Sequence, residues 1–192
     1  MELLEKRISA EGVIIGDDIL KVGSFLNQQL DVDFLYELGK EIARLYEADR
    51  VTKILTIEAS GIALATAAGL CLHVPVVFAK KHHSANQSDD VYRATITSFT
   101  HGNTYEATVA KEYLHAEDRI LLIDDFLATG EALRGLIAIT NAAHACLVGC
   151  AAAVEKGFQH GGDSLRAQGI RVESLAIIDA MSEEKGITYR RS

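Results

Sequence analysis

A chain of 192 residues with a formal charge of −8, in which 48% of residues are hydrophobic and 24% charged, is long enough to bury one α/β core. Its acidity argues against broad nucleic-acid binding, so a polyanionic ligand would need locally gathered cations. Met1 to Arg7 lacks the apolar centre of a signal peptide and no apolar run reaches membrane-spanning length, from which a cytoplasmic protein without membrane contact is expected.

Glu2 to Ala10 reads as a short amphipathic helix closed by Glu11 and Gly12. Val13 to Val22 interleaves apolar residues with Gly16, Asp17 and Asp18, too irregular for a core strand, and reads as an irregular flap that contains Leu20. Asn27 follows among apolar neighbours, where propensity alone makes it as readily a turn or cap residue as a ligand contact. Asp31 or Asp33 can cap the next helix, whose stripe is Phe34, Leu35, Leu38, Ile42 and Leu45. Lys53 to Ile57 is a strand, and Glu58-Ala59-Ser60-Gly61 then turns into the helix Ile62 to Leu72, with an N-cap as the commoner meaning of Ser60. Val74 to Phe78 is a strand that delivers Lys80-Lys81-His82-His83 at its end. Alternation at Tyr92 to Phe99 and Tyr105 to Val109, around His101-Gly102-Asn103, predicts a β-hairpin.

The most informative stretch is Ile120 to Leu133. Four apolar residues, Ile120 to Ile123, fit a strand buried on both faces; Asp124 and Asp125 stand at its end, and Ala128-Thr129-Gly130 opens a helix from Glu131 to Ala143. Small residues there let backbone N–H groups approach a phosphate, while adjacent acids can hold hydroxyls or a magnesium shell. Ala145 to Val154 is the next buried strand, ending in Glu155-Lys156-Gly157-Phe158. Lys156 carries donors and no acceptor, which suits the oxo groups of a ligand, and Phe158 offers a ring that can stack. A short helix from Asp163 to Gln168, a last strand from Val172 to Ile178 and a polar surface tail from Ser182 complete the chain. Strands alternating with helices make the fold class α/β, a central mostly parallel sheet flanked by helices, with ligands at the carboxyl edge of its strands. Cys71, Cys146 and Cys150 lie in apolar surroundings without ligand spacing and read as buried free thiols, and the seven histidines form no ligand pattern.

Two acids after an apolar strand, followed by Leu127-Ala128-Thr129-Gly130, resemble the signature of the type I phosphoribosyltransferases, which bind phosphoribosyl pyrophosphate (PRPP). The resemblance implies the type I fold as one domain over residues 1–192, in which residues 1–30 form a small hood or flap beside the base and the hairpin is a mobile loop covering PRPP. Asp124 and Asp125 would face the ribose hydroxyls as the catalytic pair, while Ala128, Thr129, Gly130, Glu131 and Ala132 cradle the 5′-phosphate. Ala59, Ser60 and Gly61 would meet the pyrophosphate, with Lys81 as its cation and Mg2+ carried in by PRPP without a direct protein ligand.

The Leu20 to Asn27 segment, the strand end Phe78 to His82 and Val154-Glu155-Lys156 extend the resemblance to the xanthine-using members of that family. For these the implied contacts to xanthine are Leu20, Asn27 and Lys156, and the implied reaction is attack by N9 on PRPP in purine salvage, by a homodimer. Glu131 departs from the uncharged residue of many relatives, and a carboxylate beside a phosphate is expected to offer its backbone N–H and turn its side chain away. Ala-Thr-Gly is also the form used by adenine enzymes, so guanine or hypoxanthine, adenine, and a PRPP-sensing regulator without catalysis stand as the competing readings. No appended helix-turn-helix and no basic face point to nucleic acid.

Overall fold

The structure, a computed structural model, describes residues 1–81, 90–97 and 104–191. Helix α1 (Glu2–Glu11) buries Leu4 and Ile8. The expected irregular flap is a regular two-stranded antiparallel ribbon, β1 (Val13–Ile15) and β2 (Ile19–Lys21), in register from Val13 opposite Lys21 to Ile15 opposite Ile19. Three-residue strands suffice because Leu20 is buried while its neighbours are exposed, so one inward side chain sets the register. A wide π turn, Gly23–Asn27, sinks Phe25 and Leu26 into the core. In α2 (Val32–Tyr46) the capping choice falls on Asp31, whose carboxylate accepts from Phe34 N at 3.1 Å.

The main sheet begins with β3 (Lys53–Ile57), which α3 (Gly61–Leu72) connects to β4 (Val76–Ala79). The hairpin strands are β5 (Val91–Thr97) and β6 (Thr104–Ala110); the expected tip at His101-Gly102-Asn103 lies outside the described residues, as do His82 and His83. Then come β7 (Arg119–Leu127), α4 (Glu131–Ala142), β8 (Cys146–Lys156), α5 (Gly161–Ala167), β9 (Val172–Ser182) and β10 (Gly186–Tyr189). The six strands lie in the order β10-β9-β8-β7-β3-β4, all parallel except β10, which runs against β9. The polar tail expected on the surface supplies the edge strand β10.

Alternate residues of β7 feed opposite layers. Leu121 and Ile123 pack with α1, α2 and α3, whereas Ile120 and Leu122 pack with α4, α5 and the hairpin. All four are fully buried, each contributing at most about 1.5 to 3 kcal/mol. Of the cysteines expected to be buried only Cys150 is; Cys71 on α3 is partly exposed, and Cys146 is exposed because β8 buries its middle and leaves its first residues at the rim.

The strand order decides where a ligand can sit. From β3 the chain moves outward to β4, then returns across β3 to build β7, β8 and β9, so the winding reverses between β3 and β7. Ligands bind at such a switch point, in the crevice outside the carboxyl ends of the strands. Pairing between β3 and β7 covers only Lys53 to Leu55 against Ile120 to Leu122. Beyond Leu122, β7 has no strand partner on that side among the described residues, while on the other it stays paired to β8 as far as Leu127 opposite Glu155. Asp124 and Asp125 are therefore inside the strand, which ends four residues later than Ile123, because one neighbour suffices to hold it extended.

Candidate active site

Where β3 and β7 part, two loops face one another: Glu58 to Gly61 after β3 and Ala128 to Gly130 after β7. Gly61 is small for a reason, since a Cβ there would collide with Thr56 Oγ1 and come within 3.1 Å of Asp124 Oδ1. Ser60 stands at the N-cap position of α3, but its side chain does not cap the helix. Its backbone is already helical and its hydroxyl donates to Asp125 Oδ1 at 2.9 Å. The second oxygen, Asp125 Oδ2, accepts from Asn27 Nδ2 at 3.1 Å, and Asp125 N donates to Asp124 Oδ1 at 3.0 Å. One carboxylate thus joins the N-terminal segment, the first loop and the central strand.

Both acids are buried. Burial, reinforced by the neighbouring charge of Asp125, holds the Asp124 carboxyl well above the usual carboxylate range, with Lys81 pulling the other way. Lys81 follows β4, which ends beside the crevice; its backbone N–H donates to Glu58 Oε1 at 2.5 Å and its ammonium lies 5.3 Å from the centre of the Tyr105 ring. Lys80 has its backbone bridged to Thr108 of β6. The Glu58–Ala59 peptide is cis.

The second loop forms a small cavity of about 140 Å3, lined by Ala128 to Leu133 with Asp124, Tyr105 and Gln159 among its walls. Gly130 takes φ +87°, a conformation glycine adopts at no steric cost, and leads into α4. The loop is held from behind: Gly161 N donates to Ala128 O at 3.2 Å, and Arg134 Nη2 donates to Thr129 O at 2.7 Å. Arg134 Nε also donates to Glu131 Oε1 at 3.2 Å, so the one acid at this helix start is paired within its own helix. Free N–H groups at a helix start suit an anion.

On the other side of the acids, Leu20 and Asn27 line one hollow of the N-terminal segment. Lys156 closes β8 and donates from Nζ to Asp18 O in the β1–β2 turn at 2.6 Å, with the Phe126 ring centre 5.9 Å away. Burial lowers its ammonium pKa, opposed by the Asp18 charge. Phe158 sits on the short turn Gly157–Gln159 and packs partly into the core on the α2 side.

A family model described as a phosphoribosyl transferase domain matches residues 31–164. The xanthine phosphoribosyltransferase of Clostridium novyi is 49% identical over 97% of this chain and 98% of its own, and that of Bifidobacterium longum subsp. infantis is 52% identical over 99% and 100%. The chain belongs to the xanthine phosphoribosyltransferase family. Among solved structures it resembles the APRTase of Giardia lamblia, with a TM-score of 0.75 at 22% identity over 91% of this chain and 96% of that one. The adenine phosphoribosyltransferase of Rhodothermus marinus gives a TM-score of 0.73 at 17% identity over 93% and 100%. Likeness at these identities is one of fold: a type I phosphoribosyltransferase fold.

Against that family frame, the structure gathers Ala59, Ser60, Gly61, Lys81, Asp124, Asp125 and Ala128 to Ala132 around one crevice, with Asn27 tied directly to it. Leu20 reaches it through the hollow shared with Asn27, and Lys156 through Phe126 and the β1–β2 turn. Several neighbours went unread in the sequence of this phosphoribosyltransferase. Phe126 stands between the acids and the small-residue turn without a local pattern to mark it, and Arg134 is one charge on a helix with nothing in its spacing to tie it to the loop. Thr56, a buried hydroxyl without a hydrogen-bond partner among the described residues, carries a signal only in hindsight, as a polar residue in an apolar strand.

Proposed function

We propose that this chain transfers the 5-phosphoribosyl group of PRPP to N9 of xanthine, giving xanthosine 5′-phosphate and pyrophosphate in purine salvage. The observation that carries the proposal is the near-full-length identity, about half of all positions, to relatives named xanthine phosphoribosyltransferase. The crevice is chemically suited to the reaction. A bond forms from the purine nitrogen to the anomeric carbon as the bond from that carbon to pyrophosphate breaks, through an oxocarbenium-like transition state, and the ring N–H proton of the purine is released to solvent. Such a displacement needs alignment, neutralisation of the leaving group and exclusion of water rather than a nucleophilic side chain.

In this reading Ala128 to Ala132 hold the 5′-phosphate and Asp125 the ribose hydroxyls, in exchange for the bonds it now makes to Ser60 and Asn27. Ala59 to Gly61 and Lys81 receive the pyrophosphate. Leu20, Asn27, Lys156 and Phe158 form the base end, with residues 1–30 as its hood. Mg2+ fits here as a companion of PRPP: Asp124, buried beside a second acid, is stabilised in its charged form by an incoming cation. The ion would neutralise the departing pyrophosphate. The protein would work in the cytoplasm as a homodimer.

The test is turnover of purified protein with Mg2+, PRPP and each of xanthine, guanine, hypoxanthine and adenine, following nucleotide and pyrophosphate. Xanthine is expected to give by far the highest kcat/KM. Preference for adenine would overturn the base assignment and leave the PRPP site standing; PRPP binding without turnover of any base would favour a regulator.

A further inference from the structure

The proposed base end contains a lysine whose position is set by residues that no assignment includes. Lys156 is the last residue of β8 and its ammonium reaches across to the β1–β2 turn, where Asp18 O accepts at 2.6 Å. That turn is held from its other side. Gly16 N donates to Glu183 Oε1 at 2.8 Å, and Glu183 stands in the turn between β9 and β10. Gly16 has φ +61° and open space around its Cα, so the conformation rather than the room demands glycine. The ribbon itself is only three residue pairs long and forms a sheet of its own, so these side-chain ties orient it against the main sheet.

We infer that Gly16 and Glu183 are positioning residues for the acceptor base, Glu183 pinning the β1–β2 turn through the Gly16 amide so that Asp18 O holds Lys156 Nζ ready for the base. The inference rests on the proposed use of Lys156 in base binding. A lysine stem is flexible, and immobilising it on binding would weaken affinity by the rotamer entropy lost. Here that ordering happens on folding. An ammonium has three donors, and with one taken by Asp18 O the remaining N–H groups have a fixed direction in which to meet acceptors of the purine. Phe126, 5.9 Å from Nζ, bounds the ammonium from the strand side.

The experiment measures kcat and both KM values for the wild type, Gly16→Ala, Glu183→Ala and Glu183→Gln, and for Gly16→Ala in a Lys156→Met background. Gly16→Ala should raise the xanthine KM about fivefold through the strain of a left-handed alanine, leaving the PRPP KM and kcat within about twofold. Glu183→Ala should raise it about threefold, as loss of one exposed hydrogen bond does, and Glu183→Gln, which keeps the acceptor, should restore it. In the Lys156→Met background Gly16→Ala should have no further effect on the base. An unchanged xanthine KM in an active protein, the same loss with Lys156 already removed, or a PRPP KM that rises in step would overturn the inference alone. A wild type that does not turn over xanthine would overturn the proposed function together with it.

Discussion

Asp125 makes contacts that three different chemical roles would claim, and its environment says how they coexist. A carboxylate has lone pairs enough to accept from Ser60, Asn27 and a sugar hydroxyl, but not all at full strength, so ligand entry must redistribute bonds already made. Asp125→Asn is nearly isosteric and should lower turnover about 100-fold or more while moving Tm by no more than about 4 °C; unchanged turnover with a normal melting curve would remove Asp125 from the mechanism. Asp124 leads to a prediction of the opposite kind. Burial and the charge of Asp125 raise its folded pKa above the unfolded value, so its contribution favours the fold below the unfolded pKa and is lost as pH rises through the folded one. At neutral pH, above the unfolded pKa, burying this carboxyl is therefore a cost in the unliganded protein. Asp124→Asn should raise Tm at pH 7, and the gain should fade on acidification toward about pH 4; thermal melts across that range decide it.

Two glycines separate scaffold from site at the level of elements. A Cβ on Gly39 would press into the backbone of Ala67 and Ala68, where α2 crosses α3. Backbone cannot yield, so Gly39→Ala should destabilise by about 1 to 3 kcal/mol and leave both KM values unchanged. Gly135 of α4 instead faces the side chain of Ile96 in β5, and Ile96 is also a wall of the cavity at Ala128 to Ala132. Gly135→Ala would push on a side chain that can shift, so stability should fall by only about 1 kcal/mol. The hairpin would be displaced over the phosphate end, and the PRPP KM should rise while the xanthine KM holds; equal changes in both would show that the hairpin is not seated by this contact.

At the scale of the whole molecule, the site is a product of winding order. PRPP would span loops that belong to β3, β4 and β7, so its binding should tie the halves of the sheet together. At about 100 times its Kd, PRPP with Mg2+ should raise Tm by about 5 to 10 °C, and chelation with EDTA should abolish most of that rise. A rise insensitive to EDTA would mean that the metal is dispensable for binding. Among the described residues, the α/β class, the α-helices, the strands of the main sheet except the edge strand β10, and the small-residue turn before α4 were legible in the sequence, because each is written locally, in hydrophobic periodicity and in small residues at a helix start. The sequence misplaced the end of β7 and left open whether Ser60 caps its helix, since whether a strand stops depends on a neighbour and whether a hydroxyl caps depends on what faces it. Only the tertiary structure brought Asn27 to Asp125 across 98 positions and Lys156 to Asp18 across 138. Those contacts follow from the reversal of winding at β3 and from the ribbon folding back over the sheet, and no local pattern of residues encodes either.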